Sequence, residues 1–461
     1  MSSPLLKREL GVLGATLMGL GSIIGTGVFV SIGIATEIAG PAVILAMAIA
    51  AIVATCNGLN SAQLAASHSV SGGTYEYGYK YLTPWLGFTA GWMFLLAKTA
   101  SASTAALGFA SYLLNATGLT GRGLLIPTAL AAVVVLTLVV LSGIRRSNVA
   151  NIVIVSITLL SLAFFIVSGL PAVDIDNMTP FFKGSMATVL HASALMFVAY
   201  TGYGRIATMG EEAREPRKTI PRAMIITMVI TMLLYMVVAT VAVGTVGAEV
   251  LFQSLIGIYT QLPPPLHIYY HIPVQGTYLT EMTTAITSAT QAQAGPLEVA
   301  VRSFGIPGGT QIVAVGAITA MLGVLLNLIL GLSRVLLAMG RRRDMPRILA
   351  GLNHSGTTPA VAVLVVGIAI AGLVLIGDVK TTWSFSAFTV LIYYAVTNLA
   401  ALRLPAHERL YPKWLAWVGL AACIFLAFWV EQQIWQVGLA LIFSGLIWHT
   451  AAQRLKKGAR D

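Results

Sequence analysis

The residues with chemical potential in this chain are few and clustered. Gly19, Gly21, Gly25 and Gly27 fall together in GLGSIIGTGVF, and Tyr200-Thr201-Gly202-Tyr203-Gly204 forms a second cluster. Both interrupt otherwise unbroken apolar sequence. Opening a helix in hydrocarbon strands N–H and C=O groups at several kcal/mol each, so they must face water, protein or a ligand. A half-helix N-terminus offers donors and a positive dipole end to an anion. Stranded carbonyls accept from a cation. A small molecule with one carboxylate and one ammonium, an α-amino acid, matches that pair. A single glycine in such a run is as readily explained by close helix packing. Two clusters, five helices apart, instead point to a binding site near the membrane midplane.

The third feature is Lys98. It stands mid-run within Ala97-Lys98-Thr99-Ala100-Ser101-Ala102-Ser103-Thr104, while none of the 16 Asp and Glu residues sits mid-span. A lysine at a helix centre costs about 2.5–3.5 kcal/mol on insertion scales. The bland reading is a lysine bonded to backbone carbonyls that locks the bundle. Two sharper readings are a titrating coupling site near the break in helix 1, since desolvation favours the neutral amine, and a fixed charge that attracts an anionic substrate group. His191, at the start of the sixth apolar run, reads as an interfacial residue.

The elements that position these residues follow from composition. The chain has 461 residues, 57% hydrophobic, 9% charged, with a mean hydropathy of +0.86. Soluble domains carry about 25% charged residues. Spans are expected at 11–34, 41–64, 85–114, 123–143, 149–170, 185–209, 223–247, 310–338, 359–377, 384–402, 413–430 and 434–451, each long enough to cross a bilayer as a helix. The run behind Lys7 and Arg8 is too long for a signal-peptide core and reads as the first span. Residues 248–309 are expected as a long outside loop, with 251–293 read as a tolerated, poorly ordered insertion ahead of the alternative, a functional lid.

The net charge of +11 reads as loop charge that orients the chain, with no nucleic acid implied. Alternate loops hold 20 basic residues, among them Lys7, Arg8, Arg145, Arg146, Arg217, Arg341 and Arg409. The opposite loops hold Arg122, Lys183, Arg302 and Lys380. That bias puts both termini in the cytoplasm. Cys56 and Cys423 give no disulfide or metal spacing. No HExxH, paired membrane Asp, phosphate loop or filter motif is present, which disfavours an intramembrane enzyme, a nucleotide-driven pump and a channel. No cofactor is called for, and the oligomeric state stays open.

Four blocks resemble the amino acid–polyamine–organocation transporter superfamily. GSIIGTGVF (Gly21–Phe29) and FVAYTGYG (Phe197–Gly204) are similar to its broken first and sixth helices. EEAREPRKTIPRA (Glu211–Ala223) and SRVLLAMGRRRDMP (Ser333–Pro346) resemble the loop after helix 6 and the cytoplasmic end of helix 8. The resemblance implies an all-α integral membrane protein of twelve transmembrane helices with a leucine-transporter-like fold. Its inverted five-plus-five helix repeat would cover about 11–170 and 185–402, with appended helices at 413–451. It implies alternating-access transport of amino acids across the cell inner membrane, with lipid as the surrounding partner. Backbone around Ser22, Ile23, Gly25, Thr26 and Gly27 would hold the substrate carboxylate. Carbonyls of Phe197, Val198 and Tyr200, beside Gly202, would hold its ammonium. Phe197 and Tyr200 are candidate gates, and Arg205 with Glu211 or Glu212 a candidate cytoplasmic gate.

The departures concern coupling. Sodium-coupled relatives carry a hydroxyl pair in helix 8 where this chain has Met321-Leu322-Gly323-Val324, and some proton-coupled relatives carry a helix 5 lysine where it has Thr158. Proton coupling through Lys98, or exchange, is therefore favoured over sodium coupling. Neutral substrates are favoured, because no mid-span carboxylate would neutralise a cationic side chain. The alternative is a cationic amino acid or polyamine transporter or exporter.

Overall fold

The computed structural model describes residues 11–70, 72–119, 123–208, 213–259, 295–353 and 358–458. Lys7, Arg8, Arg122, Glu211, Glu212 and most of the expected insertion lie outside them. The described chain is helical: α1 (Val12–Ile23), α2 (Thr26–Phe29), α3 (Ser31–Ala39), α4 (Val43–Ser67), α5 (Thr74–Tyr81), α6 (Pro84–Thr117), α7 (Leu125–Leu141), α8 (Ile144–Gly169), α9 (Met186–Tyr200), α10 (Gly204–Ala207), α11 (Pro216–Tyr259), α12 (Pro296–Arg302), α13 (Gly309–Arg341), α14 (Ala360–Val374), α15 (Val379–Leu402), α16 (Lys413–Ala427) and α17 (Gln432–Gly458).

Among the described residues, eight helical stretches are long and apolar enough to cross a membrane. Helices α7, α14 and α16 are shorter and apolar. The twelve whole spans expected from composition are thus met in part: breaks divide the first and sixth runs into shorter helices. Large apolar side chains such as Leu160, Val167, Leu233, Ile368, Trp417 and Phe443 face outward, while the interior is rich in Ala, Gly, Ser and Thr. Small residues let helices approach closely where lipid provides no hydrophobic drive between them. The chain is a multi-pass membrane protein.

Two expectations are corrected. The loop expected over 248–309 is helical at both ends. Helix α11 continues to Tyr259 past a kink at Gly247, whose φ of +77° suits glycine. Helix α12 starts with Pro296 at its first turn and buries Leu297, Ala300 and Val301. Its Glu298 is buried and accepts from Asn115 Nδ2 at 2.6 Å; burial pushes that carboxyl above the usual range. The segment between the second and third spans, read as loop, contains α5.

That short helix is tied to the far end of the chain. Asp344, fully buried just beyond α13, accepts from Tyr75 (2.7 Å), Tyr79 and Gln453 Nε2 (3.2 Å), and its backbone carbonyl accepts from Trp448 Nε1 (2.9 Å). Arg342 forms an ion pair with Glu76 and lies over the Tyr79 ring at 4.5 Å. One aspartate thus joins α5, α13 and α17. Asp344→Ala leaves buried hydroxyls without an acceptor, at about 1–3 kcal/mol each. A drop of several degrees in the melting temperature of the purified protein is expected; an unchanged melting temperature would refute the role given to Asp344.

Candidate functional site

Helix α6 is the central post and packs against both α13 and α15. The two interrupted runs meet beside it. In the first, α1 ends at Ile23, Ile24 is extended (φ −76°, ψ 107°), and the chain restarts at Thr26. The freed carbonyls find side-chain donors. Tyr235 gives its hydroxyl to Ile23 O at 2.7 Å, Asn327 Nδ2 lies 3.4 Å from Gly21 O, and Tyr112 donates to Phe29 O at 2.8 Å. Asn327 also donates to Asn151 Oδ1 at 2.6 Å, so a carboxamide pair from α8 and α13 props the break.

The second interruption differs from the open break expected there. Thr201–Tyr203 is a tight 3₁₀ turn between α9 and α10. Three-residue turns keep their hydrogen bonds with poorer geometry, so fewer groups are stranded. Thr201 N–H bonds Val198 O, the Thr201 hydroxyl donates to the same carbonyl at 2.8 Å, and Tyr394 donates to Thr201 O at 3.2 Å.

Close approach of the two interruptions requires their glycines. A Cβ on Gly202 would collide with the Ser22 carbonyl, and one on Gly27 would stand 2.6 Å from Ala199 Cβ and 2.9 Å from its Cα. A Cβ on Gly25 would collide with Val324.

Between the interruptions lies a cavity of about 20 Å³, room for roughly one water-sized sphere. Of the residues singled out in the sequence, Ser22, Ile23, Thr26, Gly27, Val198, Gly202 and Lys98 line it. Gly25, Phe197, Tyr200 and Arg205 do not, and Glu211 lies outside the described residues. Phe197 packs edge-on against Tyr394 at 5.7 Å. Tyr200 packs on Tyr235 at 5.3 Å, and its buried hydroxyl finds no partner among the described residues. Arg205 is buried and donates through Nη1 to Thr208 Oγ1 at 3.1 Å. The lining also includes Ser101, Ala199, Thr201, Val324, Leu328 and Trp383. Of these, Ser101 could have been found from its place one turn from Lys98; Trp383 and Leu328 carry no such signal.

Lys98 is 5% exposed, and Nζ donates to Thr201 Oγ1 at 2.7 Å. Its partner is a hydroxyl of the second interruption rather than the backbone carbonyl of the bland reading. Among the described residues no carboxylate stands within ion-pair distance of it. The Thr201 hydroxyl in turn donates to Val198 O.

At one end of the bundle, two polar contacts join elements near the cavity. Lys380, at the start of α15, bonds Glu37 of α3 at 2.9 Å. His191 Nε2 lies 3.6 Å from Glu431 Oε2.

A family profile described as amino acid permease matches residues 14–451. The chain belongs to the amino acid permease family. It is a membrane transporter, not an enzyme. Among relatives, an uncharacterized transporter of Mycobacterium tuberculosis is 35% identical over 458 residues, 99% of this chain and 94% of the relative. The branched-chain amino acid permease BcaP of Bacillus subtilis is 27% identical over 376 residues, 77% of this chain and 72% of the relative. A methylthioribose transporter of the same organism is 29% identical over 386 residues, covering 80% and 75%.

Proposed function

We propose that this amino acid permease moves neutral amino acids across the cytoplasmic membrane by alternating access, driven by protons or by exchange. In this reading the chain has twelve spans in two inverted five-helix repeats plus two appended helices, with both termini cytoplasmic. The observation that carries it is the small cavity between two interrupted helices, lined by their backbone, by hydroxyls and by one lysine.

The substrate carboxylate meets the amide end of α2 at Thr26 and Gly27, where a helix start leaves N–H groups for an outside acceptor. The ammonium meets the Val198 carbonyl. Tyr200, whose hydroxyl has no partner among the described residues, and Phe197 close over the pocket from α9. The cavity is too small for an amino acid, so binding requires α2–α3 or α9–α10 to move. The Glu37–Lys380 pair would release for one opening, and the Asp344 and Arg342–Glu76 links at the other end for the opposite one.

Lys98 couples the proton to this cycle. Protonated, it donates to Thr201 and places at the cavity wall a positive charge that attracts the substrate carboxylate. Neutral, it loses that attraction, so proton and substrate are carried together. Cationic amino acids are disfavoured, because the described lining offers them a lysine and no carboxylate. The branched-chain amino acids of BcaP's name fit a lining of Ile23, Val198, Val324 and Leu328.

The test is uptake into proteoliposomes across a panel of neutral and cationic amino acids, with methylthioribose included. Inward pH gradient, sodium gradient and internal substrate are each applied alone. Accumulation of neutral amino acids that rises as the outside is acidified, or that needs internal substrate, is expected. Uptake confined to cationic amino acids or requiring sodium would overturn the reading.

A further inference from the structure

Three polar pairs stack along the seam where α6 meets α15 and the second interruption. Thr104 Oγ1 meets Thr382 Oγ1 at 2.8 Å. Deeper in, Ser101 Oγ meets Ser386 Oγ at 2.7 Å. Deeper again, Lys98 Nζ meets Thr201 Oγ1 at 2.7 Å. The steps are three residues on α6 and four on α15, spacings that keep successive side chains on one helix face. At 1.5 Å per residue each step is about 4.5–6 Å along the helix axis, longer than a hydrogen bond, so a route along the column requires one water between successive pairs. All six side chains are buried. The column starts next to exposed Thr381, at the Asp378 end of α15, and finishes in the central cavity.

Hydroxyl pairs ordinarily hold membrane helices together, at about 0.6 kcal/mol each. That role explains one pair. It does not explain why successive pairs align and end on a buried lysine that, among the described residues, has no carboxylate beside it. In both the Thr104–Thr382 and Ser101–Ser386 pairs either oxygen can be the donor. A hydroxyl both donates and accepts, so such a pair can reverse, as a proton relay requires.

We propose that these hydroxyl pairs are the route by which a proton from the extracytoplasmic side reaches Lys98. Each hydroxyl receives one proton and releases its own to its partner oxygen or to a water between pairs, which in turn passes one of its protons to the next oxygen. The last transfer forms an N–H bond on the neutral Lys98 amine, and one positive charge has moved inward. No oxidant or other reactant is needed. Among the described residues the charged and titratable groups near Lys98 stand off this column. On the second interruption they are Tyr200, Tyr203 and Arg205, and at the start of that run His191 pairs with Glu431. On α15 they are Tyr393, Tyr394 and Lys380, the last paired with Glu37. On α13 the first is Arg334, and on α5 Glu76 is held by Arg342.

The inference rests on Lys98 as the coupling residue, and the experiment separates the two. Full-length protein carrying Thr382→Val and Ser386→Ala, neither of which lines the cavity, is reconstituted with an internal pH-sensitive dye. Expected are exchange at equal pH within about twofold of wild type, and accumulation and dye acidification under an inward pH gradient lowered at least ~10-fold. Restoring hydroxyls with Thr382→Ser and Ser386→Thr is expected to restore both. If Lys98→Gln removes gradient-driven uptake and the double variant retains it, the column fails and the Lys98 reading stands. If Lys98→Gln itself retains it, the Lys98 reading fails and the column with it. A parallel loss of exchange and gradient-driven uptake in the double variant would assign the pairs to packing and overturn the inference.

Discussion

Gly202→Ala is expected to lower uptake at least ~100-fold, whatever the driving gradient. The added methyl carbon would meet the carbonyl carbon and oxygen of Ser22. Those are backbone atoms inside the first interrupted run, held on either side by Ser22 Oγ to Met18 O at 2.8 Å and by Tyr235 to Ile23 O at 2.7 Å. A flexible side-chain tip could swing away; this carbonyl cannot. Overpacking of this kind costs about 1–3 kcal/mol in an ordinary core, and here it separates the two strands of backbone that bound the cavity. Gly372→Ala is the control. Nothing lies within 4 Å of its added carbon, and a helical Gly→Ala change gains about 0.5–1 kcal/mol. It should leave uptake unchanged and the melting temperature equal or higher. Gly202→Ala protein with normal uptake rates would show that the two interruptions do not need to touch.

Lys98→Met is expected to abolish accumulation driven by an inward pH gradient without lowering the melting temperature. Methionine keeps much of the stem and removes a charge whose burial costs about 2.5–3.5 kcal/mol. The substitution breaks the bond to Thr201, whose hydroxyl still donates to Val198 O. A structural lysine would give the opposite pair of results: a clear loss of stability and a proportional loss of every transport mode. The sign of the pH effect follows from the direction of coupling. In the wild type, acidifying the outside should raise uptake, because it loads Lys98 where substrate enters. In the variant, any residual uptake should be flat with external pH. Residual uptake that still rises at acid pH would place the proton elsewhere, with Glu298 the next buried carboxyl to examine.

How far the site was legible from residues alone depends on what kind of signal each residue carries. Glycines in apolar runs mark interruption because the alternatives in hydrocarbon are so costly, and Ser22, Ile23, Thr26, Gly27, Val198 and Gly202 all line one cavity. Lys98 stood out as a charge where charges are expensive. By contrast, Leu328 and Trp383 are ordinary residues for a membrane helix, and only their neighbours give them a place. Asn151 and Asn327 are of the same kind: each is unremarkable alone, and the bond between them exists because α8 and α13 cross at the first break.

Membrane residence, helical class and the places where helices break were determined by sequence. They follow from local rules: apolar length against bilayer thickness, and the cost of stranded backbone groups. Tertiary structure decided the rest. It made the second interruption a tight 3₁₀ turn, because Tyr394 and the Thr201 hydroxyl satisfy the groups that a wider opening would strand. It set Phe197 and Tyr200 behind the cavity wall, joined α5 to α17 through Asp344, and gave Lys98 a hydroxyl for a partner. Each of these depends on interactions between residues far apart in the chain, for which a single sequence holds no local signature.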